Sequence, residues 1–389
     1  MVEKVDLIQN IDRLHTTEMG VERIRKNLSL EMEDVVSFCK NKIMHPQANI
    51  TRNGKNWYVD VDDMIITVNA HSYTIITAHK KKPDLNSKRI LVTGGTVFVS
   101  RFVAQHYVKK GYDVYVLNRN SRPQCEGVSL IEADRKNLGS VLKNYHFDAV
   151  LDVTAYTGED VNLLLDALGS FGDYVLISSS AVYPEYETQP FTEEGILAAN
   201  KFWGKYGTDK IEAEETLKRR VPNAYILRPP YLYGPMNNVY REAFAFDCAM
   251  QGRRFYLPKD GEMKLQFFHV EDLCRFIDII LQKKPVQQIF NVGNREMISV
   301  KEWVELCYNT VGKEAEFVNV YEDVFQRNYF SFSDYEYYLD VEKQYEFMPT
   351  VKPLREGIRE AFEWYKENAD KVMKKPYMKY IDENFTKAE

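Results

Sequence analysis

Tyr206 and Lys210 stand four residues apart in Tyr206-Gly-Thr-Asp-Lys210. On a helix that spacing puts both side chains on one face. A neighbouring ammonium favours the phenolate over the phenol, so the pair is suited to pass a proton to or from a hydroxyl or carbonyl oxygen near neutral pH. Ser179 precedes Tyr206 by 27 residues, in Ser178-Ser-Ser-Ala-Val-Tyr183. Its hydroxyl would polarise the same oxygen. Tyr-x-x-x-Lys alone arises often by chance, so its weight depends on the elements around it.

A second chemistry-bearing stretch is Ile90-Leu-Val-Thr-Gly-Gly-Thr-Val-Phe-Val-Ser100. Ile90–Val92 reads as a buried strand. Gly94, Gly95, Thr96, Val97, Phe98 and Val99 make a turn and the start of a helix over 98–109, and Gly111 stops that helix. A second strand follows at 114–117. Strand, glycine turn, helix and strand within about 30 residues make the half-unit that binds dinucleotides, because a helix N-terminus offers unpaired N–H groups and a positive dipole end to a pyrophosphate. In the expected Gly-x-x-Gly-x-x-Gly spacing, Val97 and Ser100 take the second and third glycine positions. Each adds a Cβ where phosphate or strand should come close. Asn118 ends the second strand, with Arg119 and Arg122 just beyond. No carboxylate stands there to repel a 2′-phosphate, so NADP is favoured over NAD. Asp134, with Arg135 beside it, ends a third strand (129–134) and is placed against the adenine end.

The alternation continues with a strand at 148–153, a helix at 161–168, a strand at 174–178, a helix at 211–220 and a strand at 224–228. Six strands alternating with helices predict an α/β fold, a doubly wound parallel sheet. The lysine-rich segment 80–88 reads as a linker. Before it, residues 1–86 predict a separate small α+β domain. Helical spacing runs to about residue 45, with Thr16 or Thr17 as a cap, and strands follow at 57–61, 64–68 and 73–79. His71, Tyr73, Thr74 and His79 read as the polar face of a hairpin. With 389 residues, 44% hydrophobic and 28% charged, the chain has enough apolar side chain for more than one core. A net charge of −6 gives no overall pull toward nucleic acid or an anionic membrane. No stretch is long and apolar enough to span a bilayer, and the charged start does not read as a signal peptide, so a cytoplasmic location is expected. The five cysteines are scattered and form no CxxC pair, which predicts neither a disulfide framework nor a metal site.

With these blocks in order, residues 88–375 resemble the extended short-chain dehydrogenase/reductases, the NAD-dependent epimerase/dehydratase group. The resemblance rests on Val92-Thr-Gly-Gly-Thr96, Ser178–Tyr183, Tyr206-x-x-x-Lys210 and Leu227-Arg-Pro-Pro-Tyr-Leu-Tyr-Gly-Pro235. It continues through Phe268-His-Val-Glu-Asp-Leu273, Phe290-Asn-Val-Gly293 and the tail from Leu339 to Tyr365. It implies one domain over 88–389, with a Rossmann core over about 88–230 and a substrate lobe mainly over 231–265 and 290–375. It implies Tyr206 as general acid/base, Ser179 on the reacting oxygen, and Lys210 lowering the tyrosine pKa while holding the nicotinamide ribose. Val153, Thr154, Ala155 and Ser178 would line the cofactor groove, with Pro229 and Tyr231 near the nicotinamide. A small-molecule substrate is implied, as is a homodimer through the helices at 161–168 and 206–220. Residues 1–86 resemble a small family of uncharacterised bacterial domains through Asp12-Arg-Leu-His-Thr-Thr-Glu18 and the run 65–80. That family carries no activity to transfer.

Departures from the family narrow the expectation. Ser180 and Ala181 occupy the positions of the Asp-Glu pair that dehydratases of this group use, so a 4,6-dehydratase is disfavoured. Tyr231 replaces an asparagine, and Leu265 an arginine, that bind a sugar nucleotide's diphosphate. Arg253, Arg254 and Lys259 are either replacements or surface charge. The polar loop at 183–204 and the aromatic run 329–338 are expected to flank the substrate cleft, where the aromatics either stack on a sugar or planar ring or, the favoured reading, pack the C-terminal lobe. The leading expectation is an NAD(P)-dependent oxidoreductase or epimerase of a sugar-like hydroxyl or ketone. The alternatives are a catalytically silent nucleotide-binding scaffold, motivated by Val97 and Ser100, and an RNA-binding protein. The last rests on the first domain, where His71, Tyr73, Thr74 and His79 could bind or cut RNA, and on a looser resemblance to chloroplast stem-loop RNA-binding relatives; the acidic balance opposes it.

Overall fold

Val35, Cys39 and Ile43, four residues apart, turn one buried stripe inward, and Trp57, Val59 and Val61 do the same at every second residue. These two periods build the first of two compact units, Met1–Ser87 and Lys88–Glu389. The computed structural model describes residues 2–28, 30, 34–46, 48–62, 64–80 and 88–385. The expected linker at 80–88 therefore lies largely outside the described residues. The first unit has helices α1 (Val2–Gln9), α2 (Glu18–Leu28) and α3 (Val35–Ile43). Its antiparallel sheet runs in the order β1 (Asn49–Asn53), β2 (Asn56–Val61), β3 (Met64–Asn69), β4 (Ile75–Lys80). Thr17 caps α2 by accepting from the Gly20 N–H at 3.1 Å, while the Thr16 hydroxyl donates to the Ile75 carbonyl. Sequence reading missed β1 because Ile50 is its one buried residue, so it shows no apolar alternation.

In the second unit the main sheet has seven parallel strands: β5 (Arg89–Thr93), β6 (Asp113–Asn118), β7 (Val128–Glu132), β8 (His146–Asp152), β9 (Ser170–Ile177), β10 (Tyr225–Arg228) and, returning late, a three-residue strand at Ile289–Asn291. Helices α4 (Phe98–Lys109), α5 (Gly158–Ala167) and α6 (Lys205–Arg220) connect them, whereas turns rather than helices join β6 to β7 and β7 to β8. The spatial order is β7-β6-β5-β8-β9-β10 and then the late strand. The chain therefore reverses direction between β5 and β8, the crevice position in such sheets. Helix α6 begins six residues earlier than its apolar pattern predicts, which brings Tyr206 into its first turn.

Beyond β10 the chain builds a lobe and rejoins the core. It runs through β11 (Tyr231–Tyr233), α7 (Glu242–Met250), β12 (Phe255–Pro258), β13 (Lys264–His269) and α8 (Val270–Lys283). The late strand, β14 (Ile289–Asn291), follows, then β15 (Met297–Ser299), α9 (Val300–Val311), β16 (Phe317–Val320), α10 (Glu342–Phe347), α11 (Leu354–Asn368) and α12 (Tyr377–Asn384). Tyr329, Phe330 and Phe332 are buried in the lobe with Phe244, Phe255 and Trp303, so that part of the aromatic run packs as expected. All five cysteines are buried and free. Among the described residues no helix is long and apolar enough to cross a membrane.

Candidate active site

The C-terminal ends of β5, β8, β9 and β10 open on one cleft of about 430 Å³. Gly94 and Gly95 turn the chain out of β5 at φ +92° and +90°, angles that side chains rarely adopt. A Cβ on Gly95 would stand 2.5 Å from Val116, and one on Gly94 would stand 2.8 Å from the Ser100 hydroxyl. The room for Ser100 therefore comes from the bare Gly94, and the Ser100 hydroxyl donates to the Val97 carbonyl at 2.9 Å. Val97 occupies the N-cap of α4 without a side-chain cap, which leaves the first N–H groups of the helix to a ligand. Val97, Phe98, Val99 and Ser100 all line the cleft. The glycine turn and the uncapped start of α4 thus open on the cleft, with the Val97 side chain among its lining.

On the opposite wall stand Ser179, Tyr206 and Lys210. The Ser179 hydroxyl accepts from the Ala181 N–H at 3.2 Å, which fixes its direction at the end of β9. Lys210 is 2% exposed, and its ammonium donates to the Ala155 and Ile177 carbonyls at 2.7 and 2.9 Å. An ammonium has three donors, so one remains for a ligand. Burial pulls the Lys210 pKa down to about 8. The Tyr206 pKa is raised, chiefly by burial of its hydroxyl, while the neighbouring Ser179 hydroxyl pulls the other way. This differs from the expected depression by Lys210: the ammonium is aimed at two carbonyls and the Tyr156 ring (5.1 Å from its centroid) rather than at the phenol.

Behind this wall lies a buried network that sequence reading did not assemble. Arg228 of β10 donates to both oxygens of Glu214 at 2.9 and 2.6 Å, and the Ser178 hydroxyl donates to Glu214 at 2.5 Å. Glu214 continues the series 206, 210, 214 along one face of α6, and that spacing was its available signal. On the cofactor side, Thr93 accepts from the Val153 and Thr154 N–H groups and donates to buried Asp152, holding the backbone after β8.

The remaining predicted residues divide. Val153, Thr154, Ser178, Pro229 and Tyr231 line the cleft. Ala155 is buried and contributes its carbonyl to Lys210. Asn118 braces the glycine turn, donating to the Gly94 carbonyl at 2.6 Å, while Arg119 and Arg122 are exposed. Gly94, Gly95 and Thr96 shape the turn without lining the cleft. Asp134 caps its own turn through the Lys136 N–H. Arg135 pairs with Asp152 at 2.5 Å, because that carboxylate is fully buried and needs a countercharge. Arg253 and Lys259 pair with Asp382 and Asp334, and Leu265 is buried in the lobe core.

The same cleft is lined by Tyr156, Asn238 and Arg241, which sequence reading did not single out, and by Trp203 and Tyr337 from the loop and the aromatic run expected to flank it. A lone arginine after Tyr-Gly-Pro has no pattern that marks it in a sequence. In the first unit, Tyr73 is buried under Arg13, whose guanidinium lies 4.0 Å from the ring centroid, and Thr74 meets His15 at 3.1 Å. His71 is exposed, as expected of a hairpin's solvent face.

Comparison with known proteins matches both units. Residues 8–79 match a family described as a protein of unknown function (DUF3781). Among curated proteins, the chain is 28% identical over 281 residues to the chloroplast stem-loop binding protein of 41 kDa b of Arabidopsis thaliana, covering 66% of this chain and 73% of that one. It is 24% identical to the probable GDP-L-fucose synthase 1 of Oryza sativa subsp. japonica, covering 76% and 98%. A solved dTDP-glucose 4,6-dehydratase from Bacillus anthracis, in complex with NAD, superposes with a TM-score of 0.60 at 21% identity, covering 74% of this chain and 99% of that one. Residues 90–293, just over half of the chain, match the NAD dependent epimerase/dehydratase family, and to that family, of extended short-chain dehydrogenase/reductase type, the chain belongs.

Proposed function

We propose that the second unit is an NAD(P)-dependent oxidoreductase or epimerase acting on a hydroxyl or ketone of a sugar-like small molecule. The observation that carries this reading is the convergence of Ser179, Tyr206 and Lys210 on one cleft with the uncapped N-terminus of α4. The glycine turn and the free N–H groups of α4 would hold the pyrophosphate, and Lys210 the nicotinamide ribose. When bound, the dinucleotide supplies or takes the hydride. Ser179 orients the substrate oxygen, and Tyr206 moves its proton. A raised tyrosine pKa keeps Tyr206 protonated at neutral pH, the state that donates to a carbonyl oxygen. Arg119 and Arg122, exposed beyond Asn118, support NADP over NAD. No carboxylate lines the cleft among the described residues, which supports ranking a reductase or epimerase above a 4,6-dehydratase.

The test is a side-by-side titration with NADP⁺ and NAD⁺, followed by Tyr206→Phe. NADP⁺ should bind tighter. The variant should keep dinucleotide affinity and lose roughly 10²- to 10⁴-fold in turnover. Turnover that survives Tyr206→Phe would sink the proposal. A second reading, RNA binding, is favoured by the likeness to the stem-loop binding protein. Failure of the full chain to retain an RNA hairpin at low salt would end it.

A further inference from the structure

Two cations line the cleft, Lys210 and Arg241, and no carboxylate does among the described residues. Lys210 spends two of its three donors on the Ala155 and Ile177 carbonyls. The Arg241 guanidinium feels the buried carboxylate of the next residue, Glu242, which itself accepts from Asn237. The Arg241 Nε is buried without a hydrogen-bond partner, and the guanidinium lies 5.5 Å from the centroid of the Tyr231 ring. A buried, charged donor without an acceptor is costly. A guanidinium in that position is built to meet a carboxylate or phosphate through two parallel hydrogen bonds. Asn238, three residues earlier, lines the same wall, and Trp203, Tyr231 and Tyr337 add aromatic faces.

The geometry points to Arg241 as the anchor for one compact anionic group, a carboxylate or a phosphate monoester, on a small substrate of this cleft. This deepens the oxidoreductase reading and rests on it for the identity of the reacting group. A nucleotide diphosphate fits poorly. At about 430 Å³ the cleft lies low in the usual range of roughly 300–1,000 Å³ for small-molecule sites, and the nicotinamide must share it. No third cation lines the cleft for a second phosphate, and Arg253 and Lys259 are paired with Asp382 and Asp334. The Tyr231 hydroxyl, at the position of the family's diphosphate-binding asparagine, is buried without a partner.

The experiment titrates the full chain, with and without NADP⁺, against inorganic phosphate, malonate, UDP-glucose and glucose, by calorimetry. Phosphate or malonate should bind saturably, UDP-glucose no tighter, and glucose not at all. Arg241→Gln should weaken the anion about tenfold or more, and Arg241→Lys should retain part of the affinity. Thermal melts establish that both variants fold. Preference for phosphate assigns a monoester, and preference for malonate a carboxylic acid. Anion affinity unchanged in Arg241→Gln, absence of binding by either small anion, or tight binding of UDP-glucose alone overturns the inference. NADP⁺ binding with no anion binding overturns this inference and leaves the oxidoreductase reading standing. Arg241-dependent anion binding with no dinucleotide binding does the reverse.

Discussion

Lys210 shows what burial does to a charge that a cleft needs. With a pKa of about 8, it is protonated at neutral pH and loses its charge as pH rises through that value. Dinucleotide affinity should therefore fall above about pH 8, and Lys210→Met should bind more weakly but without that alkaline fall. Titrations at a series of pH values check both. Val97 is the second residue to test. Its side chain lines the cleft at the start of α4, where the proposed pyrophosphate would sit, so Val97→Gly should tighten NADP⁺ binding, measured by the same titration. An unchanged affinity would show that the site already accommodates the valine. Ser179, Tyr206 and Lys210 were legible in the sequence because their spacing carries their chemistry. Arg241 and Glu214 were not, because their roles come from which groups fold around them. The pairing of Arg135 with Asp152 was not legible either, because position along the chain does not reveal which carboxylate is buried behind it.

At the scale of elements, α6 and β10 are joined by the ion pair between Glu214 and Arg228, which are 0% and 1% exposed. Removing one partner of such a pair leaves the other charge uncompensated, at a cost of about 3–5 kcal/mol. Glu214→Gln should lower stability by that order in urea unfolding. It should also impair turnover, since the carboxylate that accepts from both Arg228 and Ser178, next to Ser179, is replaced by an amide with a single acceptor oxygen. The strands of the parallel sheet were legible because burial on both faces makes them continuous apolar runs. Strand β14 escaped because three residues carry no period. The start of α6 escaped because its first turn, Lys205–Thr208, faces the cleft mouth instead of the core and so lacks the apolar spacing that announces a helix.

At the scale of the whole molecule, the two units close separate cores. One cluster draws only on residues between Leu7 and Ala78, and the others draw only on residues from Ile90 onward. A chain starting at Lys88 should therefore fold, bind the dinucleotide with unchanged affinity, and keep the oligomeric state of the full chain. Titration and light scattering of the shortened and full chains check this. A change in either would give the first unit a part in the site or in assembly. The two-domain organisation was legible because the period of the apolar pattern changes on either side of a lysine-rich stretch. The activity of the first unit was not, because no spacing in it assembles a reaction.

Strand β14 lies beside β10, with Asn291 opposite Arg228 and the Val292 N–H donating to the Arg228 carbonyl at 3.2 Å. Both strands run straight into the lobe, one through Pro229 and the other through Val292. The cleft wall at Pro229, Pro230 and Tyr231 therefore grows directly out of a hydrogen-bonded strand pair, so its place is set by the register of the sheet rather than by a free loop.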